Sequence, residues 1–433
     1  MSNKNKNTIA IVTMILLFGM ISFVTNLAAP VGNIWKQQPG IEGSNALGMM
    51  GNMMNFLAYL FMGIPAGKLL SRHGSKKTIL LAVIVGFTGV FIQFLSGVIC
   101  TGTSLAGIPA NFYIYLLGAF VSGFSVCMLN TVVNPMLTLL GGEKRGNQYI
   151  QIGGTCNALM GTLTPILVGS LIGQITKDTF ISDVNPVLFI AMGVFALAFV
   201  ILSFIPLVDP EEMKASTEKV TSPWKFRHFV LGAVAIFMYV GVEVGIPGTL
   251  NFYLSDVSSK GGHLDPATAT AIAGFVAGTY WFMMFLGRIV ASFISGKVSS
   301  RSQLVTVTAV AIVLVICAIF APSTSTVSMP VFTGSSFSVA KVPVSALLLV
   351  LCGLCTCVMW GAIFDLAVRG LGKSTALASG IFMTMVVGGG ILPLVQNAIA
   401  DASTYMTSYW VIVVCLAYMC WYAFAGSKPV ENK

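Results

Sequence analysis

Residues 63–77 read GIPAGKLLSRHGSKK, an apolar helix end that runs directly into a basic turn. Its two glycines, Gly63 and Gly67, fall on one helix face, where small residues let neighbouring helices approach closely. Residues 285–301, FLGRIVASFISGKVSSR, repeat this arrangement around Arg288 in the second half of the chain. The pair of junctions predicts an internally repeated helical protein with close helix packing beside each basic turn.

The composition around these junctions is that of a membrane protein. Hydrophobic residues make up 56% of the 433 and charged residues only 9%, whereas soluble domains carry about 25% charged residues. Apolar runs of about 20 residues, long enough to cross a bilayer as helices, recur along the chain. An outer-membrane barrel would need ~10-residue strands of alternating polarity, which the sequence lacks. We predict an all-α polytopic membrane protein with twelve spans, at 8–34, 46–70, 77–100, 112–140, 148–173, 185–208, 229–254, 267–296, 303–321, 344–369, 374–399 and 404–425.

The distribution of lysine and arginine predicts the orientation. Loops on the side of the two termini, with the termini themselves, hold seventeen basic residues, whereas the other loops hold four: Lys36, Lys177, Lys260 and Lys341. Basic residues are retained on the cytoplasmic side of a membrane. We therefore expect both termini in the cytoplasm of a bacterial cell, with the chain in the inner membrane, and we read the net charge of +9 as a topology signal and not as a nucleic-acid surface.

A charged connection at 209–227 divides the chain into two halves of six spans each. We predict an N-terminal bundle at 1–208 and a C-terminal bundle at 228–433, related as internal repeats. The turn between spans two and three has the form R-x-G-x-[KR]-[KR], beginning at Arg72, and it resembles the signature loop of the major facilitator superfamily. That resemblance implies two pseudo-symmetric six-helix bundles. The acidic residue usual in that loop is absent, since Ser71 precedes Arg72.

Two longer stretches resemble the fucose:proton symporter family, whose members carry fucose, glucose, galactose or N-acetylated sugars. They are MLNTVVNPMLTLLGGEKRGNQYIQIGGTCNALMG at 128–161 and GIFMTMVVGGGILPLVQNAIAD at 380–401. In proton-coupled members a carboxylate on span one and another on span four are held to carry protonation and sugar binding. The resemblance places Asn26 and Asn130 at those positions, and an amide cannot titrate. The most specific matching pieces are Asn134-Pro135, Thr155 with Asn157, YVGVE at 239–243, and Gly388-Gly389-Gly390 with Pro393.

Only two of the fourteen acidic residues, Glu243 and Asp365, fall clearly inside predicted spans. Charge in hydrocarbon is costly, so both are functional candidates. Glu243 lies in a glycine- and proline-rich part of span seven that we expect to be a broken helix, and it is the candidate to couple protons or bind the sugar. A neutral structural acid is the alternative. Asp365 precedes Arg369 by one helical turn, which predicts an ion pair with a gating or structural role in preference to proton carriage.

Sugar sites combine amide and hydroxyl groups with an aromatic surface. For any one amide, hydrogen bonding between helices is an equally good explanation, so the density of the set carries the prediction. The basic residues near the helix ends are candidates for gating, and they are Lys68, Arg72, Arg288 and Arg369. The predicted substrate-binding residues are Asn26, Asn130, Asn134, Gln151, Asn157, Tyr239, Glu243, Asn251, Tyr280, Trp281, Trp360, Gln396 and Asn397.

Together these features predict a monomeric secondary transporter that imports a monosaccharide or sugar derivative by alternating access. An uncoupled facilitator, a carrier of another small polar solute and a non-transporting sensor are the alternatives. We expect no enzymatic activity, because the three histidines lie near loops. We also expect no cofactor, no nucleic-acid partner and no metal site, since the nine cysteines lack a neighbouring histidine cluster and suit packing.

Overall fold

The fold consists almost entirely of membrane-length helices. The computed structural model describes residues 3–172, 175, 179–205, 207, 222–294, 298–333, 336–371 and 375–428, so most of the predicted central loop lies outside the described residues. Within them, twelve helical segments are long and apolar enough to cross a bilayer, as predicted. These spans are Asn7–Trp35, Met50–Leu70, Arg72–Leu95, Ala110–Leu137, Ile152–Ile172, Ile181–Phe204, Arg227–Ser255, Ala269–Ala291, Ser300–Phe320, Val344–Val368, Gly380–Ala402 and Tyr405–Gly426.

Several spans are interrupted, so helices and spans do not coincide. Span one breaks after Asn26, and Pro30, which cannot donate a backbone hydrogen bond, follows within the next turn. The α-helices are Asn3–Asn26, Ala28–Trp35, Asn45–Gly48, Met50–Leu95, Ala110–Ile172, Asn185–Phe204, Arg227–Ser255, Ala269–Ile294, Ser300–Phe320, Val344–Thr356, Met359–Val368, Thr375–Met385, Gly388–Ala402, Tyr405–Ser408 and Trp410–Trp421, with a π-turn at Tyr422–Gly426 and 3₁₀ turns at Ile181–Val184 and Pro223–Lys225.

Span seven departs from our expectation. The predicted break near Glu243 is wrong, because the helix runs unbroken from Arg227 to Ser255 with Pro247 inside it. Its glycines serve packing: a side chain at Gly241 would lie 2.2 Å from Leu392 of span eleven. Packing of a helix face therefore outweighs the local cost of glycine and proline.

The basic turn between spans two and three depends on Gly74. Its φ of 78° lies in the left-handed region, which glycine reaches without a steric penalty, and it reverses the chain between the two spans. The Lys76 ammonium then donates to the backbone carbonyl of Ser203, 2.9 Å away at the end of span six. The turn is thus tied to a neighbouring helix of the same half.

Small residues bring helices close together, as the two junctions predicted in part. A side chain at Gly63 would lie 2.7 Å from Thr384 of span eleven, across the two halves, and one at Gly287 would lie 2.6 Å from Cys357 of span ten, within the second half. Gly67 is different, since no described residue lies within 4 Å of an added side chain there. Spans five and eight approach as closely, because a side chain at Gly278 would lie 2.8 Å from the carbonyl oxygen of Thr162.

An even number of spans places the start of span one and the end of span twelve on the same side, which we call the terminal face. The opposite face carries two β-hairpins that were not predicted. The short one pairs Ser104–Leu105 with Ile108–Pro109, and the longer one pairs Thr326–Phe332 antiparallel with Phe337–Pro343. The longer hairpin connects spans nine and ten and leaves Phe337 largely exposed.

Candidate functional site

A cavity of about 630 Å³ lies between the two halves. Spans one, two, four and five form its wall on one side, and spans seven to eleven form it on the other. Ser300 and Val368 belong to its lining and stand where spans nine and ten meet the terminal face. The cavity therefore opens toward the terminal face, and its size falls within the ~300–1,000 Å³ common for small-molecule sites.

The first half contributes four of the predicted amides to the cavity wall. Each of these amides donates a hydrogen bond to another group of the protein. Asn26 donates to the carbonyl of Ser22 at 2.9 Å, and Asn130 donates to the hydroxyl of Tyr59 at 2.7 Å. The remaining two are Asn134, which donates to the carbonyl of Asn130 at 3.0 Å, and Asn157, which donates to that of Phe18 at 3.0 Å. These bonds restrain the orientation of each amide plane, and with it the direction of the side-chain oxygen.

The second half contributes a carboxylate backed by aromatic rings. Glu243 lines the cavity, and its Oε1 accepts a hydrogen bond of 2.8 Å from the hydroxyl of Tyr239, one turn earlier on the same helix. The Tyr239 ring centroid lies 6.1 Å from that of Trp360. Trp281, on span eight, also lines the cavity. The structure thus brings together polar acceptors and flat apolar surfaces, the combination expected for sugars.

Among the described residues, Arg288 is the cation of the cavity lining. It lies one turn before the end of span eight and is close enough to Glu243 for an electrostatic interaction.

Asp365 also lies one turn before the end of its span at the terminal face, where it accepts from Arg369 and from the Ser300 hydroxyl, each at 2.8 Å. The predicted i, i+4 pair is present, but both of its side chains are more than half exposed. Its gating role stays a prediction.

Four other predicted binding residues lie outside the cavity wall in this conformation: Asn251, Tyr280, Gln396 and Asn397. All four are buried. The Tyr280 hydroxyl is 2.9 Å from that of Thr356, behind the cavity wall. Gln396 has both amide atoms buried without a hydrogen-bond partner among the described residues. Sequence places these residues in spans, but only the packing decides which helix face meets the cavity.

Two further predicted residues, Lys68 and Arg72, are not part of the cavity lining. Lys68 and Arg72 are exposed at the terminal face, beside the turn between spans two and three. Gln151 lies outside the residues whose side chains the structure describes. Their assigned roles in gating and binding stay predictions.

The opposite face is closed by a polar cluster that joins the two halves, which we call the closing cluster. Asp401, at the end of span eleven, accepts hydrogen bonds from the backbone N–H groups of Asn45 and Ala46, at 2.7 and 2.9 Å, and from the Ser44 hydroxyl, at 3.1 Å. A carboxylate of the second half thereby caps a short helix of the first. The members of the closing cluster are Lys36, Ser44, Asn45, Asp256, Asp401 and Tyr405.

Lys36 is the buried cation of the closing cluster. Its ammonium donates to the side-chain oxygen of Asn45 and lies 4.4 Å from the ring centroid of Phe252, on span seven. The Tyr405 hydroxyl is 3.0 Å from both the Asn45 oxygen and a carboxylate oxygen of Asp256. The contacts of Lys36 with Phe252 and of Tyr405 with Asn45 join the two halves. Both must break before the opposite face can open.

A second layer of contacts lies beneath the closing cluster. The side-chain amide of Asn33 donates to the oxygen of Asn251, and the Ser255 hydroxyl donates to Asn33 at 3.1 Å. Gly32 brings span one against the next turn so closely that an added side chain would lie 2.2 Å from the carbonyl oxygen of Gly48. The predicted binding residue Asn251 therefore takes part in this closure and not in the cavity wall.

Sequence reasoning missed the closing cluster. It counted Lys36 as one of four basic residues in loops on the side away from the termini, and it did not consider Asp256 or Asp401. One signal was available: all three charges lie next to a span end, on the face poorest in lysine and arginine. Only tertiary structure could show that charges 145 to 365 positions apart in sequence, at 36, 256 and 401, meet at one point.

Raising the pH from 7 to 9 is expected to favour closure of the opposite face about tenfold. Burial lowers the pKa of Lys36 from 10.5 to about 8, although Asp256 and Asp401 counteract the shift. The closed form therefore binds fewer protons than an open form with a hydrated lysine, and it gains stability as pH rises above about 8. Below about pH 8 Lys36 is charged in both forms, so the equilibrium between them should not depend on pH.

The measurement is the distance across the opposite face between spin labels on the exposed sites of Leu105→Cys and Phe337→Cys. The exposed Cys100 and Cys317 are replaced by serine in this background. Lys36→Met should abolish the dependence on pH, because Asp256, Asp401 and Tyr405 remain while the titrating amine is gone. An unchanged pH profile in that variant would show that another group titrates.

The family model described as Major Facilitator Superfamily matches residues 9–394. The glucose/galactose transporter of Brucella abortus biovar 1 (strain 9-941) is 29% identical over 437 residues, which cover 99% of this chain and 96% of the relative. The L-fucose-proton symporter of Escherichia coli (strain K12) is 22% identical over 407 residues, with 87% and 84% covered.

Among solved structures, a crystal structure of the fucose:proton symporter of E. coli matches with a TM-score of 0.69. The identity is 18%, and the match covers 98% of this chain and 100% of that one. At this identity the match shows a shared fold.

Proposed function

The chain belongs to the major facilitator superfamily, and on that premise we propose that it is a secondary transporter that imports a monosaccharide or sugar derivative by alternating access. One observation carries the proposal: a polar and aromatic cavity between the halves reaches the terminal face, while the opposite face is closed by contacts between the same halves. A site that is open to one face at a time is what alternating access requires.

The basic loops support a cytoplasmic terminal face, in the inner membrane of a bacterium, because lysine and arginine are retained on that side. With this orientation the structure is the inward-facing form, and the closing cluster is the outer gate. Opening of the outer gate would hydrate Lys36 and Asp401 and give the outside medium access to the cavity.

The cavity chemistry supports a sugar as the solute. The oxygens of Asn26, Asn130 and Asn157 can accept from hydroxyl groups in directions set by their bonds to the protein. Trp281 and Trp360 offer flat surfaces for the C–H faces of a pyranose ring. The curated relatives named for glucose, galactose and fucose transport agree with this solute class.

Coupling to protons is the second part of the proposal, and Glu243 carries it. Two acidic residues line the cavity among those described, Glu243 and Asp365. Asp365 lies near the mouth in an exposed ion pair, which leaves Glu243 as the acidic residue of the inner part. The amides Asn26 and Asn130 cannot release or bind a proton at neutral pH. An uncoupled facilitator is the alternative, and it would use the same cavity without charge movement.

The test is sugar binding and uptake by the purified protein. Glucose, galactose or fucose at about 100 times its dissociation constant should stabilise the protein by about 2.7 kcal/mol in thermal unfolding, whereas acyclic sorbitol should not. In proteoliposomes the same sugar should enter and, with an inward proton gradient, accumulate. Binding without any uptake would indicate a sensor, and the absence of both for all monosaccharides would refute the proposal.

A further inference from the structure

One basic side chain of the cavity has an unusual position between the two halves. The guanidinium of Arg288, on span eight, lies directly against Gly154 of span five: a side chain at position 154 would place its first carbon 2.1 Å from one terminal nitrogen and 3.0 Å from Cζ. No side chain fits there with the guanidinium in place. The glycine therefore makes the room that Arg288 occupies at the cavity wall.

The guanidinium is also incompletely paired. Its Nε is buried and has no hydrogen-bond partner among the described residues. The neighbouring carboxylate, Glu243, already accepts from the Tyr239 hydroxyl. A buried N–H without a partner is unfavourable, and an oxygen atom of a ligand in the cavity would relieve it.

Arg288 and Glu243 together present a cation and an anion on one wall of the cavity. Neighbouring hydroxyl groups of a neutral pyranose can satisfy both, since a hydroxyl donates to a carboxylate and accepts from a guanidinium. The two charges of this wall compensate each other, so a hexuronate or a hexosamine would leave one of three charges uncompensated. An uncompensated charge is unfavourable in a site of low dielectric.

We propose that Arg288 is a specificity-determining sugar-binding residue, which reaches the sugar through the space left by Gly154 and, with Glu243, selects uncharged hexoses over hexuronates and hexosamines. This inference rests on the proposed sugar-transport function. It also explains why span five carries a glycine at the point where it faces a long basic side chain.

The experiment is a double-mutant cycle on sugar affinity. Gly154→Ala keeps the arginine but displaces its guanidinium, and Arg288→Gln removes the charge. Each is expected to weaken glucose binding roughly 10- to 100-fold, and the double variant should bind no more weakly than Arg288→Gln, because the two changes remove one interaction. Gly193→Ala is the matched control, since within the described part of the chain no atom lies within 4 Å of an added side chain there.

Affinities are measured by titration calorimetry for glucose, glucuronate and glucosamine, and thermal unfolding reports whether each variant is folded. Three results would each overturn the inference. The first is a glucose affinity of Gly154→Ala within about twofold of the parent, and the second is full additivity of the two substitutions. The third is a parent protein that binds glucuronate or glucosamine more tightly than glucose. A parent that binds none of the monosaccharides would instead refute the proposed function. The two failures are thereby distinguishable.

Discussion

Glu243→Gln is expected to abolish accumulation of the sugar against its gradient while sugar exchange across the membrane continues. Glutamine retains an oxygen that can accept from the Tyr239 hydroxyl, as Glu243 does at 2.8 Å, so the cavity wall should keep its shape. It cannot bind or release a proton. Removal of the titrating group should therefore separate sugar movement from proton movement.

The effect is large because the coupling energy is large. One elementary charge that moves across 100 mV contributes about 2.3 kcal/mol, enough for roughly 50-fold accumulation of a neutral sugar. The parent should approach that ratio in proteoliposomes with a membrane potential, whereas Glu243→Gln should reach only equal concentrations on both sides. Accumulation at the parental ratio by the variant would exclude Glu243 as the coupling group.

Asp365→Asn is the matched control for this experiment. Asp365 also lines the cavity, but it pairs with Arg369 at the exposed mouth, where such pairs contribute only about 0.3–0.5 kcal/mol. We expect slower turnover with unchanged sugar affinity and unchanged accumulation. Loss of accumulation in Asp365→Asn as well would indicate that the carboxylate at the cavity mouth takes part in proton coupling.

Asp401→Ala is expected to shift the protein strongly toward the form that is open at the opposite face. The closed form loses three hydrogen bonds to the carboxylate, from Ser44, Asn45 and Ala46. In the open form water would take their place. Hydrogen bonds to charged groups contribute about 1.5–3 kcal/mol each when buried, and this site is partly exposed, so we expect a shift of about 2 kcal/mol, or roughly 30-fold.

The readout is the distance between the labels at Leu105→Cys and Phe337→Cys across the opposite face. Asp401→Ala should increase the population of long distances and slow uptake, because return to the inward-facing form becomes rarer. Asp183→Asn is the matched control: Asp183 lies on the same face and caps the Phe180 backbone N–H at 3.0 Å, but within one half. An equal distance change in both variants would mean that loosening of the loops, and not opening between halves, is being observed.

Glu243 and Asp401 would act at different steps of one transport cycle. Glu243 would determine what energy drives transport, and Asp401 would determine which face is open at rest. A ligand or proton can shift such an equilibrium only by as much as it binds one form better than the other. The cavity is formed by both halves, so a sugar bound there contacts the two bodies whose relative position changes.

The first-half site was largely predictable from residues. Asn26, Asn130, Asn134 and Asn157 were singled out and all reach the cavity wall. Their spans contain few polar residues. Because a polar side chain is costly in hydrocarbon, the helix face that carries an amide is expected to point away from lipid. Glu243 was predictable for the same reason.

The second half was less predictable because polar residues there serve two purposes. Trp281 and Trp360 line the cavity, whereas Asn251 lies in the closure of the opposite face and Tyr280 behind the wall. Interhelical hydrogen bonds and ligand contacts call for the same side chains, and one sequence does not separate them.

The number of spans and the polar residues at mid-membrane follow from the order of residues, because each crossing of the lipid requires an apolar helix of set length, in which a charge stands out. The packing of the helices was needed to show that span seven stays continuous, that Arg288 fills the space beside Gly154, and that Lys36 lies near Asp256 and Asp401. Those features depend on which helix faces pack together, and helix packing brings together side chains hundreds of positions apart whose spacing along the chain carries no trace of the contact.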